Sequence, residues 1–405
     1  MKHASIIPLI GGEVLASDEV WGSRPEFLLS YTPFEANESH LRHYYAQQGE
    51  NIPYFVLDKG DRAPYSVDVV SSVCPCSGLS SYHAKAGTEN PNNQWMIKTS
   101  KFILGEVKPK VFWGENASAL VGKVGKEILS QLREISLSNG YSMSIFLTKN
   151  LNHGVSQFRK RSFYFFWKKS EFGEQTPLFQ YIQRPHQKIE DVILNSMSNF
   201  QMEPINKKTP SKDDPYYRYI LEEIFQGISH KEHFDIVKER FDKGNDVESF
   251  ITSHYGHDYK QVQNWMEKNN YLKEAEKCKR KYEKLANNGN IMRRFTQIPY
   301  NYIGAFVGHH PATLTHPYED RYITYREAMN IMGLPSDFEL LNPEKSSNHI
   351  CQNVHFQTAQ DMALEVQAVM NNNRPYVNTD FLLQNNLNKS YKILNESKST
   401  LTNFL

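Results

Sequence analysis

Three short segments hold residue types that could do chemistry. The first is SVDVVSSVCPCSGLSS, residues 66–81. Its apolar run ends in Pro75-Cys76, which puts a thiol on a loop at the end of a strand. Ionised, a thiol is a strong nucleophile. A cysteine there would also serve as a small buried hydrophobe. Cys74 and Cys76 form a pair, but the other two cysteines, Cys278 and Cys351, are distant, so no metal site is expected. The second segment, KVFWGENASALVG, ends a strand on Glu115 and Asn116. A glutamate at the end of a buried strand can hold its proton and act as an acid. The third, HGVSQFRKRSFYFFW, carries Gln157, Arg159 and Arg161 two apart. Residues so spaced in an extended chain share a face, so the arginines can converge on one site.

These groups need a scaffold, and the apolar pattern supplies one. Runs rich in Val, Ile, Phe and Tyr predict strands over 5–10, 27–31, 52–57, 67–73, 111–113, 142–147 and 162–167. Helical stretches fall between them at 39–47, 95–104 and 123–138, the last with Ile128, Leu129, Leu132 and Ile135 on one face. Such alternation predicts an α/β fold with a mostly parallel sheet, whose ligands bind beyond the carboxyl ends of the strands. From about Lys169 charged and aromatic residues take over. A helix is expected over 271–285 with Leu272, Ala275, Cys278 and Leu285 inward. Between Lys260 and Arg294 ten Lys or Arg stand against four Asp or Glu. That is a solvated face, or a phosphate-contacting one if the chain handles DNA. The expected division is 1–168, 169–320, 321–372 and a loosely held, Asn-, Ser- and Lys-rich tail over 373–405.

Composition narrows the class further. The 405 residues are 39% hydrophobic and 22% charged, with a net charge of +1, so any pull on nucleic acid must be local. No window is apolar enough for a membrane span, and the first residues do not read as a signal peptide. Four cysteines in a chain of this length point to a reducing, cytoplasmic setting with free thiols. A monomer is expected.

Together, Pro75-Cys76, Glu115-Asn116 and Gln157-Phe158-Arg159-Lys160-Arg161 resemble, in order and spacing, the motifs of the DNA (cytosine-5) methyltransferase family. The run RYITYREAMNIMGLPSDF, from Arg321, resembles the family's Arg-x-x-Thr-x-Arg-Glu followed by Gly-Phe-Pro, with Leu334 in place of Phe. The resemblance covers both ends of the chain, leaving out the middle segment and the tail. It implies a Rossmann-like S-adenosylmethionine-dependent catalytic domain with an inserted, smaller target-recognition domain. It also implies Cys76 as the nucleophile that adds to cytosine C6, Glu115 at the ring, and Arg161 near the base with Arg159 as a support. Gln157 and Thr313, the latter in a Thr-Leu pair like the family's, are expected to contact double-stranded DNA. The target base would have to leave the stack to reach Cys76.

The cofactor segments depart from the family. In SIIPLIGGEVLAS, Ile7 stands where the family has Phe and Leu9 where it has its first Gly, while Gly11 and Gly12 match. Glu35 matches the carboxylate for the ribose hydroxyls. Asp58 is the candidate for the adenine contact, with Asp61 second. In NHICQNVHFQTAQDMA, alignment on Val354 puts Gln352 at the family's Asn, and Asn353 takes that place if the register slips by one. Two further readings are a non-catalytic DNA-binding relative and an RNA cytosine-5 methyltransferase.

Overall fold

Strands buried on both faces need apolar residues at nearly every position, and the first half of the chain supplies them. The computed structural model describes all residues except 77, 80–89, 197–199, 288–294 and 395–405. In chain order the strands of one nine-stranded sheet begin with β1 (His3–Ile6), β2 (Phe27–Ser30), β3 (Tyr54–Val56) and β4 (Val69–Ser72). They continue with β5 (Val111–Ala117), β6 (Tyr141–Lys149) and β7 (Lys160–Lys168). Two short strands, β8 (Thr176–Pro177) and β9 (Tyr376–Val377), pair apart from that sheet, and β10 (Phe381–Asn385) and β11 (Ser390–Ile393) complete it.

Across the sheet the order is β3-β2-β1-β4-β5-β7-β6-β10-β11. All neighbours from β3 to β5 are parallel. β7 runs antiparallel to both β5 and β6, β10 parallel to β6, and β11 antiparallel to β10. The chain builds outward from β1 to β3 and then returns to the other side of β1 with β4. Strand order therefore reverses between β1 and β4, the place where open α/β sheets bind ligands. Helices α1 (Gly12–Trp21), α2 (Glu35–Gln47), α3 (Asn93–Phe102) and α4 (Lys126–Ser138) follow β1, β2, β4 and β5. In α4 the predicted stripe of Ile128, Leu129, Leu132 and Ile135 is buried.

The chain divides into two compact units. The first joins Met1–His186, Met332–Leu334 and Gln352–Leu405 and holds the sheet. Within it the helix Phe356–Met370 packs on α1, and Trp21 Nε1 donates to Ala363 O at 3.3 Å. The second joins Gln187–Ile331 and Pro335–Cys351. Its elements are mainly helices, among them His230–Arg240, Tyr259–Lys268 and Leu272–Ala286, around a core that includes Tyr217, Phe234, Phe250, Met266 and Cys278. Capping boxes at Ser229 and Asp258 start the first two. Among the described residues no helix is long and apolar enough to cross a membrane.

Four expectations change. The first strand stops at Ile6 rather than continuing to residue 10, because Ile7 and Leu9 take φ of +55° and +51°, which no strand accommodates. The expected tail 373–405 is not loose where it is described. β10 pairs with β6 from Phe381↔Met143 to Asn385↔Leu147, and Leu382 and Leu383 are fully buried. The boundary at residue 321 also moves. The segment from Arg321 belongs to the second unit as far as Ile331, where Thr324 and Glu327 bond each other's N–H groups across the start of the helix Tyr325–Ile331. There Arg321 forks onto Glu327, and buried Arg326 donates to Ser336 O and Phe338 O, so that motif is architectural. Finally, Leu272, expected inward, is 66% exposed, whereas Ala275 and Cys278 point in as predicted.

If β10 closes the sheet, Leu383→Ala should lower unfolding stability by about 2–4 kcal/mol in a urea titration. A loosely held tail would leave the midpoint unchanged.

Candidate active site

The sequence of β4 runs Val-Val-Ser-Ser into Val73-Cys74-Pro75-Cys76, so the strand delivers both thiols to its carboxyl end beside β1. They differ in what surrounds them. Cys74 is 1% exposed, 3.3 Å from Ser72 Oγ and 3.8 Å from Thr99 Oγ1, and burial pushes its thiol up from the ordinary range. Cys76 is only partly buried and free. Of the pair it is the less buried. Its loop is seated by close packing, since a Cβ on Gly78 would lie 2.2 Å from Asn93 Oδ1 at the start of α3. The rest of the loop, Ser77 and residues 80–89, lies outside the described residues.

β5 and β7 bring the remaining chemical groups to the same edge of the sheet. Register pairs Ala117 with Arg161 and Glu115 with Phe163, so Glu115 and Arg161 sit diagonally on one face. Arg161 Nε forms an ion pair with Glu115 Oε1, and both side chains are largely buried. Asn116 Nδ2 donates to Cys74 O at 3.4 Å, tying the end of β5 to the cysteine loop. Arg159 is 3% exposed and donates from Nη2 to Asn353 O at 3.1 Å. Gln157 is wholly buried, with Nε2 on Met332 Sδ at 3.5 Å. A side chain without exposed surface cannot reach a groove, so its assignment to DNA contact is corrected to a loop support. In the second unit Thr313 is half-buried, its hydroxyl directed at the carbonyls of His309 and His310, and Leu314 is core.

The turn after β1 is where the cofactor residues were expected. Gly11 takes φ +94°, and a Cβ there would lie 2.6 Å from Leu41; one on Gly12 would lie 2.4 Å from Val354 O. The glycines therefore let this turn pack against α2 and residues 353–354. Ile7 is wholly buried, its N–H on Leu29 O, so it shapes the turn and offers no face to a ligand, which corrects its assignment. The two candidates at the last motif differ in their surroundings. Gln352 is exposed, its Oε1 accepting from Asn37 Nδ2, whereas Asn353 is fully buried and its Oδ1 accepts from Gly12 N at 2.8 Å. That bond to the turn after β1 favours the register in which Asn353 stands at the motif's Asn. Its Nδ2 has no hydrogen-bond partner among the described residues.

Two carboxylates stand at the ends of β2 and β3. Glu35 opens α2 and pairs with Lys59 Nζ at 2.7 Å. Asp58 Oδ1 accepts from Thr32 N and Oγ1 at 2.9 and 3.1 Å. Desolvation raises its pKa, but those bonds outweigh it and the net shift is downward. Asp61 accepts from Val56 N at 2.7 Å. No pattern in the sequence pointed to the aromatic group beside them, in which the Tyr31 and Phe34 rings each lie 5.0 Å from that of Trp95 of α3. Acceptors for hydroxyls, a flat apolar wall and an unmatched amide donor on Asn353 fit a nucleoside-bearing amino acid such as S-adenosylmethionine.

A switch-point turn, neighbouring carboxylates and a half-exposed thiol on a sheet with one reversed inner strand define a Rossmann-like methyltransferase. Comparison with known proteins makes this specific. The C-5 cytosine-specific DNA methylase model matches residues 32–365, and the chain belongs to that family. The match names a family that acts at carbon 5 of cytosine in DNA. The type II methyltransferase M.AgeI of Thalassovita gelatinovora is 31% identical over 103 residues, a match spanning 25% of this chain and 24% of that protein. Among solved structures, the fold is shared with an E. coli prophage-encoded protein described as a DNA modification methyltransferase. There the TM-score is 0.55 at 15% identity, over 92% of this chain and 99% of that one. It is shared too with Entamoeba histolytica methyltransferase EhMeth, with a TM-score of 0.52 at 11% identity over 92% and 98%.

Two outcomes follow from this geometry. Asn353→Ala should weaken S-adenosylmethionine binding roughly tenfold by calorimetry, while Gln352→Ala leaves it unchanged; the reverse would restore the other register. The second concerns Glu13, which follows Gly12 and accepts from Ser5 Oγ at 2.9 Å. Burial raises its pKa from 4.5 to about 8, its own backbone and Ser5 opposing. The fold favours the protonated form, so this contribution to stability is complete below the unfolded pKa and is lost as pH rises through about 8. Glu13→Gln should therefore gain on the wild type in melting temperature as pH is raised from about 5 to about 9. A constant offset would show that the carboxyl does not titrate in that window.

Proposed function

We propose that this chain methylates C5 of a cytosine flipped out of double-stranded DNA, through a covalent bond between Cys76 and C6. The observation that carries this is the partly exposed Cys76 thiol at the carboxyl end of β4, on the same sheet edge as the Glu115–Arg161 pair. C5 of cytosine is too weak a nucleophile to take a methyl group directly. Addition of the Cys76 thiolate to C6 forms the S–C6 bond and moves the ring electrons to C5. Glu115, carrying a proton or sharing one with ring N3, hydrogen-bonds the ring there and offsets the negative charge that addition puts on it. Arg161 fixes the direction of that carboxylate, and Asn116 fixes the cysteine loop through Cys74 O. S-adenosylmethionine, when bound, supplies an electrophilic methyl group. Loss of the C5 proton to a base and expulsion of the Cys76 thiolate then restore the aromatic ring.

Taking the base from the stack costs roughly a few kcal/mol, which contacts elsewhere must offset. The second unit is the natural source, as a target-recognition domain containing Thr313. Since Cys76, Glu115 and Arg161 all come from one chain, a monomer is the working unit. The type II relative suggests a restriction-modification setting.

Nucleoside mass spectrometry on DNA from expressing cells tests the proposal. The wild type should yield deoxycytidine heavier by one methylene, and Cys76→Ser none. Glu115→Gln should slow methylation of duplex DNA by about 10²-fold or more. Methyl transfer to transfer RNA alone, or a Cys76→Ser variant near the wild-type rate, would overturn it.

A further inference from the structure

Gln157 and Arg159 turn inward, and the residue between them does the opposite. Phe158 is 42% exposed. Two ammonium groups flank its ring, Lys149 Nζ at 5.3 Å from the centroid and Lys160 Nζ at 5.8 Å. The lysines themselves are direct partners across the β6/β7 ladder, the last residue of one strand facing the first of the other. Like charges at directly opposed positions repel. Among the described residues no carboxylate pairs with either lysine to relieve this. The neighbouring register pair is Thr148↔Arg161, so the lysines lie at the edge of the sheet that carries the Glu115–Arg161 pair.

An exposed aromatic ring between two unneutralised cations matches the chemistry of a nucleic-acid strand. Phosphodiester oxygens neutralise the cations and release counterions, and a base offers the ring a flat face. We propose that Lys149, Phe158 and Lys160 form a contact for the DNA strand carrying the target cytosine. The lysines hold its backbone phosphate, and Phe158 stacks on a base exposed when its neighbour leaves the duplex. This rests on the reading of DNA as substrate given above, and it hands the contact first expected of Gln157 to the residue next to it.

The test is duplex DNA binding by fluorescence anisotropy across a series of salt concentrations. It compares the wild type, the double variant Lys149→Gln/Lys160→Gln, the double variant Lys149→Arg/Lys160→Arg, and Phe158→Ala. Removing both charges should reduce the slope of log K against log salt by about 1 to 2, and the arginine pair should keep it. Phe158→Ala should weaken binding about tenfold at fixed salt with the slope unchanged. Melting temperature and S-adenosylmethionine affinity, both expected at wild-type values, report that each variant is folded. Wild-type affinity and slope in the glutamine variant and in Phe158→Ala, beside a wild type that binds and methylates duplex, would overturn this contact alone. Losses confined to a single-stranded RNA of the same sequence would overturn it in favour of an RNA contact. A wild-type chain that binds no duplex would overturn both readings.

Discussion

The ion pair between Glu115 and Arg161 depends on β7 running against its neighbours. Glu115 lies near the carboxyl end of β5, and Arg161 near the beginning of β7. Only an antiparallel strand puts its beginning at that edge. Were β7 parallel to β5 over the same residues, Arg161 would face Val111 at the opposite edge, roughly 13 Å along the strand from Glu115 at a rise of about 3.3 Å per residue. Glu115 would then be a buried carboxyl without its partner, and breaking a buried ion pair by removing one member costs about 3–5 kcal/mol. The reversed strand is therefore bound up with the chemistry as well as with the sheet's topology. It also brings Lys160 and Arg159 to the same loop, one facing out and the other in.

The second constraint is the turn between β1 and α1. It is built from two left-handed residues with side chains, Ile7 and Leu9, and one left-handed glycine. Left-handed backbone costs a residue with a side chain roughly 1–2 kcal/mol. The surroundings hold it there, through Ile7 N on Leu29 O, Gly11 N on Pro8 O and Asn353 Oδ1 on Gly12 N. A turn determined so fully by its own chain keeps its shape without help from a ligand.

Much of this was legible in the sequence because buried parallel strands announce themselves as unbroken apolar runs. Thiol, carboxylate and arginines were legible as well, since each follows or opens such a run. What escaped the sequence were features settled by a partner far along the chain. Phe381–Asn385 is five residues in an Asn-rich stretch, and only the free edge of β6 makes it a strand. Asn386 belongs to the same closure, its side chain bonded to Ile182 and to Thr148 Oγ1. The choice between Gln352 and Asn353 turned on which amide meets Gly12, and alternation could not show which of Gln157 and Phe158 would be buried. Nor could it show that the Arg321 motif serves to cap a helix and bury an arginine.

The pairing of β6 with β10 also has a bearing on how the protein is made. Roughly 230 residues separate the two strands in the chain, and a ribosome adds about 5–20 residues per second. For something like ten to fifty seconds the edge from Met143 to Leu147 exists without its partner. An apolar strand with open backbone groups is a template for any other extended chain. The nascent polypeptide therefore passes through a vulnerable interval in which molecular chaperones, and the crowding of polysomes, bear on its fate more than the stability of the finished fold does.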